Sequence, residues 1–142
     1  MHEVTHTIRI DKPPELVWEY LANPAKIPEW VSTCQECSHQ SGGEVSLNSR
    51  ITDVRNLLGQ KIESVYEVTE HDFPRTLSTK VIEGPVPFRF TWSLSPAGAG
   101  TALTGKGVGE WSGPHDDPVV ETAAQKNLEH DMETLKYLLE TR

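Results

Sequence analysis

Asp117-Pro118-Val119-Val120-Glu121-Thr122-Ala123-Ala124-Gln125-Lys126-Asn127-Leu128-Glu129-His130-Asp131-Met132-Glu133-Thr134-Leu135-Lys136-Tyr137-Leu138-Leu139-Glu140 is the stretch on which the fold turns. Asp117 offers a capping carboxylate and Pro118 suits the first helical position, where no backbone donor is needed. Val120, Ala124, Leu128, Met132, Leu135 and Leu139 recur at steps of three and four, so they form one apolar stripe. A helix over residues 118–141 would be about 36 Å long. Such a stripe needs a partner of matching length, and only a sheet running beneath it supplies one.

The preceding sequence supplies strands. Phe88, Phe90, Trp92 and Leu94 alternate with Arg89, Thr91 and Ser93. Ile62, Ser64, Tyr66 and Val68 alternate in the same way with Lys61, Glu63, Val65 and Glu67. This period of two predicts strands with one face turned inward. Val45–Val54, Thr76–Ile82 and Thr101–Trp111 read as further strands, with turns at Asp72-Phe73-Pro74 and over Pro96–Gly100. Gly105, Gly107 and Gly109 weaken the last strand and leave room for a close neighbour or a bulge. At the head, residues 3–10 alternate with Val4, His6, Ile8 and Ile10 on one face. Pro13-Pro14-Glu15 opens a short helix carrying Val17, Trp18 and Leu21 inward; Asn23-Pro24 ends it and caps a second. That second helix bears Ile27, Trp30 and Val31 and is kept short by Pro28. The layout is one strand, two short helices, about six strands and one long helix, an α+β antiparallel arrangement with no repeat or linker dividing residues 1–142.

Composition removes several classes of function. Thirteen Lys and Arg against twenty-one Asp and Glu leave a net charge of −8, the wrong sign for neutralising phosphates. Nucleic acid and anionic membrane are therefore not expected partners. No apolar run approaches the ~20 residues of a span, and residues 1–20 lack a signal peptide's pattern, so a cytoplasmic location is expected. Cys34 and Cys37 cannot frame a domain of this size with disulfides. Their spacing leaves three readings open: structural thiols, a redox pair, or part of a zinc site. They do not open a helix, as a redox pair usually does, and with His39 they supply at most three zinc ligands. The reading adopted is structural thiols, with no metal and no cofactor. His115-Asp116-Asp117 could hold a cation, but helix capping accounts for it.

Ile8-Arg9-Ile10-Asp11-Lys12-Pro13-Pro14-Glu15-Leu16-Val17-Trp18-Glu19-Tyr20-Leu21, followed by Asn23-Pro24-Ala25-Lys26-Ile27-Pro28-Glu29-Trp30, resembles the polyketide cyclase/dehydrase branch of the START-like (SRPBCC) superfamily. The resemblance covers nearly the whole chain. It implies a helix-grip fold, a curved antiparallel sheet of about seven strands around the C-terminal helix with two short helices after strand one. It also implies a cavity that takes lipids, polyketides or other hydrophobic molecules.

Within that frame Ser64, Tyr66, Val81, Phe88, Phe90, Trp92, Leu128 and Met132 are the expected ligand-binding residues. The aromatic stripe on residues 88–92 suits a ring or acyl chain, and equally suits plain core packing. Tyr66 and His6 are the candidate catalytic residues, as an oxyanion donor and an acid–base group, with buried groups satisfied by backbone as the other reading. Arg50 could meet a ligand carboxylate or simply lie on the surface. Three functions follow: binding a small hydrophobic molecule, a cofactor-free cyclase/dehydratase enzyme, or a protein-interaction module marked by an exposed apolar patch. A homodimer is among the assemblies open to the chain.

Overall fold

The computed structural model describes residues 2–57, 59–110 and 118–142. Strand β1 (His2–Ile10) is followed by α1 (Pro14–Ala22), a 3₁₀ turn (Pro24–Lys26) and α2 (Ile27–Trp30). Strands β2 (Cys34–His39), β3 (Arg50–Leu57), β4 (Gln60–Asp72), β5 (Thr76–Glu83), β6 (Phe88–Ala97) and β7 (Gly100–Gly109) come next, and α3 (Pro118–Glu140) closes the chain. All seven strands form one antiparallel sheet in the order β1-β7-β6-β5-β4-β3-β2. Six consecutive strands are a meander of hairpins. β1 joins its far edge beside β7, and α1 and α2 carry the chain from that edge to the other. The sheet curls as a half-barrel around α3, a helix-grip fold.

Local chemistry accounts for the helices. Pro14 sits in the first turn of α1 with Glu15 beside it, and Val17, Trp18, Tyr20 and Leu21 are buried. The Asn23 side chain accepts a hydrogen bond from the Ala25 amide at 3.0 Å and so starts the 3₁₀ turn. Trp30 donates from its indole to the Tyr20 carbonyl at 3.2 Å, locking α2 against α1. The residue read as the cap of α3, Asp117, lies outside the described residues, as do His115, Asp116 and Trp111.

Along α3, Leu128, Met132, Leu135 and Leu139 are buried as the spacing requires, and β1 is its main strand neighbour. Polar clasps hold the helix to that strand. Gln125 accepts from the Thr5 amide and donates to the Thr5 carbonyl, and Lys136 donates to the Arg9 carbonyl. Glu140 accepts from the Asp11 amide at 2.8 Å.

One strand departs from expectation. The chain over 45–49 is not a strand; β3 begins at Arg50 and runs on to Leu57. Asn48 takes a left-handed φ of 70°, and the Ser49 amide closes a turn on the Ser46 carbonyl at 3.0 Å. Along the shortened strand, Ile51, Asp53 and Arg55 line the interior. Arg50 is exposed, with Glu67 3.8 Å away, and takes the surface role.

Candidate functional site

Between the concave face of the sheet and the first half of α3 lies a cavity of about 290 Å³. Its wall is mostly apolar, and its largest component is a ladder of rings on β6. Phe88 and Phe90 have centroids 6.1 Å apart, Phe90 and Trp92 4.7 Å, and Trp92 meets Trp30 edge-on at 5.7 Å. The ladder has room because its partners on β7 are glycines. Phe88 faces Gly109, Phe90 faces Gly107 and Trp92 faces Gly105. A Cβ at Gly105 would stand 2.6 Å from Trp92 Cζ3, and one at Gly107 would collide with Phe88. The rings lean over backbone where a side chain would otherwise stand.

The opposite wall is polar. Ser64 and Tyr66 project from β4, Asp53 and Arg55 from β3, and Asp131 from α3. Arg55 Nε donates to Asp53 Oδ2 at 2.6 Å. Asp53 keeps 7% of its side chain exposed and Arg55 39%, so the acidic partner is sealed and the basic one is only partly covered. Burial pulls the Arg55 pKa down, but Asp53 and Tyr66 outweigh it and hold the guanidinium above its ordinary value. Tyr66 Oη lies 3.5 Å from Cys37 Sγ. Burial first, then the neighbouring Cys37 and Asp53, push the Tyr66 phenol well above its ordinary pKa. It therefore stays protonated and serves as a hydrogen-bond donor, not a base. Asp131 Oδ1 accepts from the Ser32 amide at 3.0 Å, joining α3 to the loop after α2.

Of the residues singled out from sequence, Ser64, Tyr66, Val81, Phe88, Phe90, Trp92 and Leu128 line this cavity. Met132 does not: it is fully buried one turn further along α3, where the sheet closes on the helix and leaves no space. His6 is also absent from the wall. It sits on β1 opposite Gly105, with its Nε2 buried and lacking a hydrogen-bond partner. The structure does not join His6 and Tyr66 into one acid–base pair at the cavity. Asp53, Arg55 and Asp131 were missed from sequence. The available signal was parity: Ile51, Asp53 and Arg55 run antiparallel to Tyr66, Ser64 and Ile62, pairing residue for residue. Two opposite charges two apart on a strand can face inward together because each neutralises the other.

Residues 1–140 match the family described as polyketide cyclase / dehydrase and lipid transport, and the chain belongs to it. No curated protein sequence matches the chain. Its fold is similar to that of a START superfamily protein from Mycobacterium smegmatis, with a TM-score of 0.83, 20% identity and coverage of 99% of both chains. TTHA0849 from Thermus thermophilus is similar with a TM-score of 0.82 and 20% identity over 95% of this chain and 94% of that one. The di-domain ARO/CYC BexL from the BE-7585A biosynthetic pathway matches with a TM-score of 0.73 and 23% identity, covering 99% of this chain and 47% of its own. At these identities the likeness is one of fold. Among the described residues no helix is long and apolar enough to cross a membrane.

Proposed function

We propose that residues 1–142 act as one START-like ligand-binding domain, whose cavity holds a small molecule with a hydrophobic, ring-bearing body and a polar end. The observation that carries this reading is the division of the cavity wall. Phe88, Phe90 and Trp92 stand on one side, and Tyr66, Ser64 and Arg55 on the other. A purely apolar ligand would cover the open side of Arg55 and give its remaining N–H groups no partner, at a desolvation cost of about 1–3 kcal/mol for a buried polar group. A ligand carrying a carbonyl, phenol or carboxylate at one end satisfies both sides. Such pockets combine apolar walls with a few placed polar groups.

A cofactor-free cyclase or dehydratase activity is the second reading, favoured by the convergence of Tyr66 with the Asp53–Arg55 pair. A protonated tyrosine beside a cation could hold the oxyanion that develops as a carbonyl enolises. The interaction-module reading finds less support. The exposed large apolar residues are spread over α1 (Leu16), the β2–β3 connection (Leu47), the β4–β5 turn (Phe73), β5 (Ile82) and both ends of α3 (Val119, Tyr137).

Titration with a fluorescent aromatic amphiphile, read through tryptophan quenching, tests the binding reading. Micromolar affinity, about −8 kcal/mol, is expected. Trp92→Ala should weaken it about tenfold. Absence of saturable binding to the wild-type protein, with no small molecule retained in native mass spectrometry, would refute the proposal.

A further inference from the structure

The cysteine pair has a geometry that the ligand-binding reading does not use. On a regular strand, residues three apart face opposite sides of the sheet. Here Cys34 pairs with Arg55, Glu36 with Val54 and Cys37 with Asp53, and a register shift between Cys34 and Glu36 adds one residue to β2. A bulge of this kind re-aims side chains. Its effect is to turn both thiols to the same face, over Asp53. Cys34 Sγ donates to Asp53 Oδ1 at 3.4 Å, and the Cys34, Cys37 and Asp53 donor atoms all lie within 4.8 Å of one another.

We propose that Cys34, Cys37 and Asp53 form a binding site for a thiophilic divalent cation of the zinc class. A tetrahedral ion with bonds of about 2.0–2.3 Å holds its ligand atoms roughly 3.3–3.8 Å apart, so side-chain movements of about an ångström bring these three into place. The surroundings are those of a ligand set supported from behind. Arg55 holds Asp53 Oδ2 at 2.6 Å, leaving Oδ1 directed at the thiols. Tyr66 Oη, 3.5 Å from Cys37 Sγ, can donate to a metal-bound thiolate. Such supporting contacts orient the ligands of metal sites. Charge also closes: two thiolates, a carboxylate, the Arg55 guanidinium and a dication sum to zero. His39, the third ligand considered from sequence, is not in the cluster, and its Nδ1 lies 3.1 Å from the Gly43 carbonyl. Asp53 takes that place. Asp53 and Tyr66 line the cavity, so the ion would sit at its wall, with a fourth position for water or a ligand atom.

Metal uptake must displace the thiol protons. Uptake should therefore release protons and strengthen with pH.

The test is a Co²⁺ titration of the whole reduced protein, followed by Zn²⁺ competition. Expected are one Co²⁺ per chain, a thiolate-to-cobalt charge-transfer band that Zn²⁺ abolishes, and proton release in calorimetry. Cys37→Ser, at a half-buried position, should lower the affinity about 100-fold and weaken the band while circular dichroism stays native. Asp53→Asn should lower the affinity and keep the band. A wild-type protein with no charge-transfer band at stoichiometric Co²⁺ would overturn the proposal, as would a folded Cys37→Ser variant with unchanged affinity and spectrum. Neither readout depends on an organic ligand, so failure here leaves the binding reading untouched.

Discussion

At one end of the β6–β7 ladder Leu94 faces Leu103, and at the other Trp92, Phe90 and Phe88 face Gly105, Gly107 and Gly109. Leu103 is fully buried and Leu94 is 4% exposed, whereas the three rings are only partly buried. The helix above repeats the division. Met132 and Leu135 are sealed over the filled end, while Val120, Ala124 and Leu128 line the cavity over the other. The same two strands and the same helix thus make a core in one half and a container in the other. What changes between them is side-chain volume on β7. A protein interior packs to near-crystalline density unless something withholds atoms, and here glycine withholds them.

Five substitutions probe the two halves and the wall between them, and the largest effect is expected at the filled end. Leu135→Ala should cost about 2–5 kcal/mol in urea unfolding, because the emptied volume has no room to collapse. Leu128→Ala should cost distinctly less, since its side chain already borders open space. Equal losses would mean that the two halves are packed alike. At the hollow end, Gly107→Ala forces the Phe88 ring aside and should cost about 1–3 kcal/mol. It should also reduce ligand affinity, because a displaced ring has only the cavity to enter; retention of full affinity would show that the rings do not set its volume.

Tyr66→Phe removes one hydroxyl and keeps the ring. A binding protein should lose about 1 kcal/mol or less of affinity, whereas an enzyme using that hydroxyl for an oxyanion should lose on the order of 10²-fold or more in turnover. The smallest effect concerns Asp131. Burial pushes its carboxyl above the ordinary 3.8, against the hydrogen bond from Ser32. A raised folded-state pKa gives stability that is present below the unfolded value and lost as pH climbs through the folded one. Asp131→Asn should therefore gain on the wild type in urea midpoint as pH rises from 3.8. A difference independent of pH would show that the carboxyl ionises as freely folded as unfolded.

The filled end was the more legible in sequence. Its residues are large and apolar and fall at periods of two or near three and a half, so Ile10, Leu94, Leu135 and Leu139 announce their own placement. The aromatic ladder and Tyr66 were legible for the same reason: the opposite register would have turned Glu63, Glu67 and Arg89 inward. The charged part of the polar wall was not. Asp53 and Arg55 look like surface residues one at a time, and only their mutual bond lets both face inward. The true start of β3 was hidden because the turn at left-handed Asn48 interrupts the extended chain without changing the apolar spacing of Val45 and Ile51. Cys34 and Cys37 were visible as a pair, but a spacing of three carries no sign of a bulge, and their common partner lies on another strand.

The strand order has a consequence for how the chain comes together. β1 is made first, yet its hydrogen-bonding partner is β7, with His2 opposite Gly109 and Ile10 opposite Thr101. Every other strand pairs with a strand next to it in sequence. During synthesis the meander from β2 onward can zip hairpin by hairpin, while β1 waits with its backbone unpaired until the last strand exists. Loop closure over that distance comes before the reward of contact, which makes such long-range pairing slow. The first strand of the chain is placed to be the last to dock, and α3, which clasps it, can lie down fully only once it has.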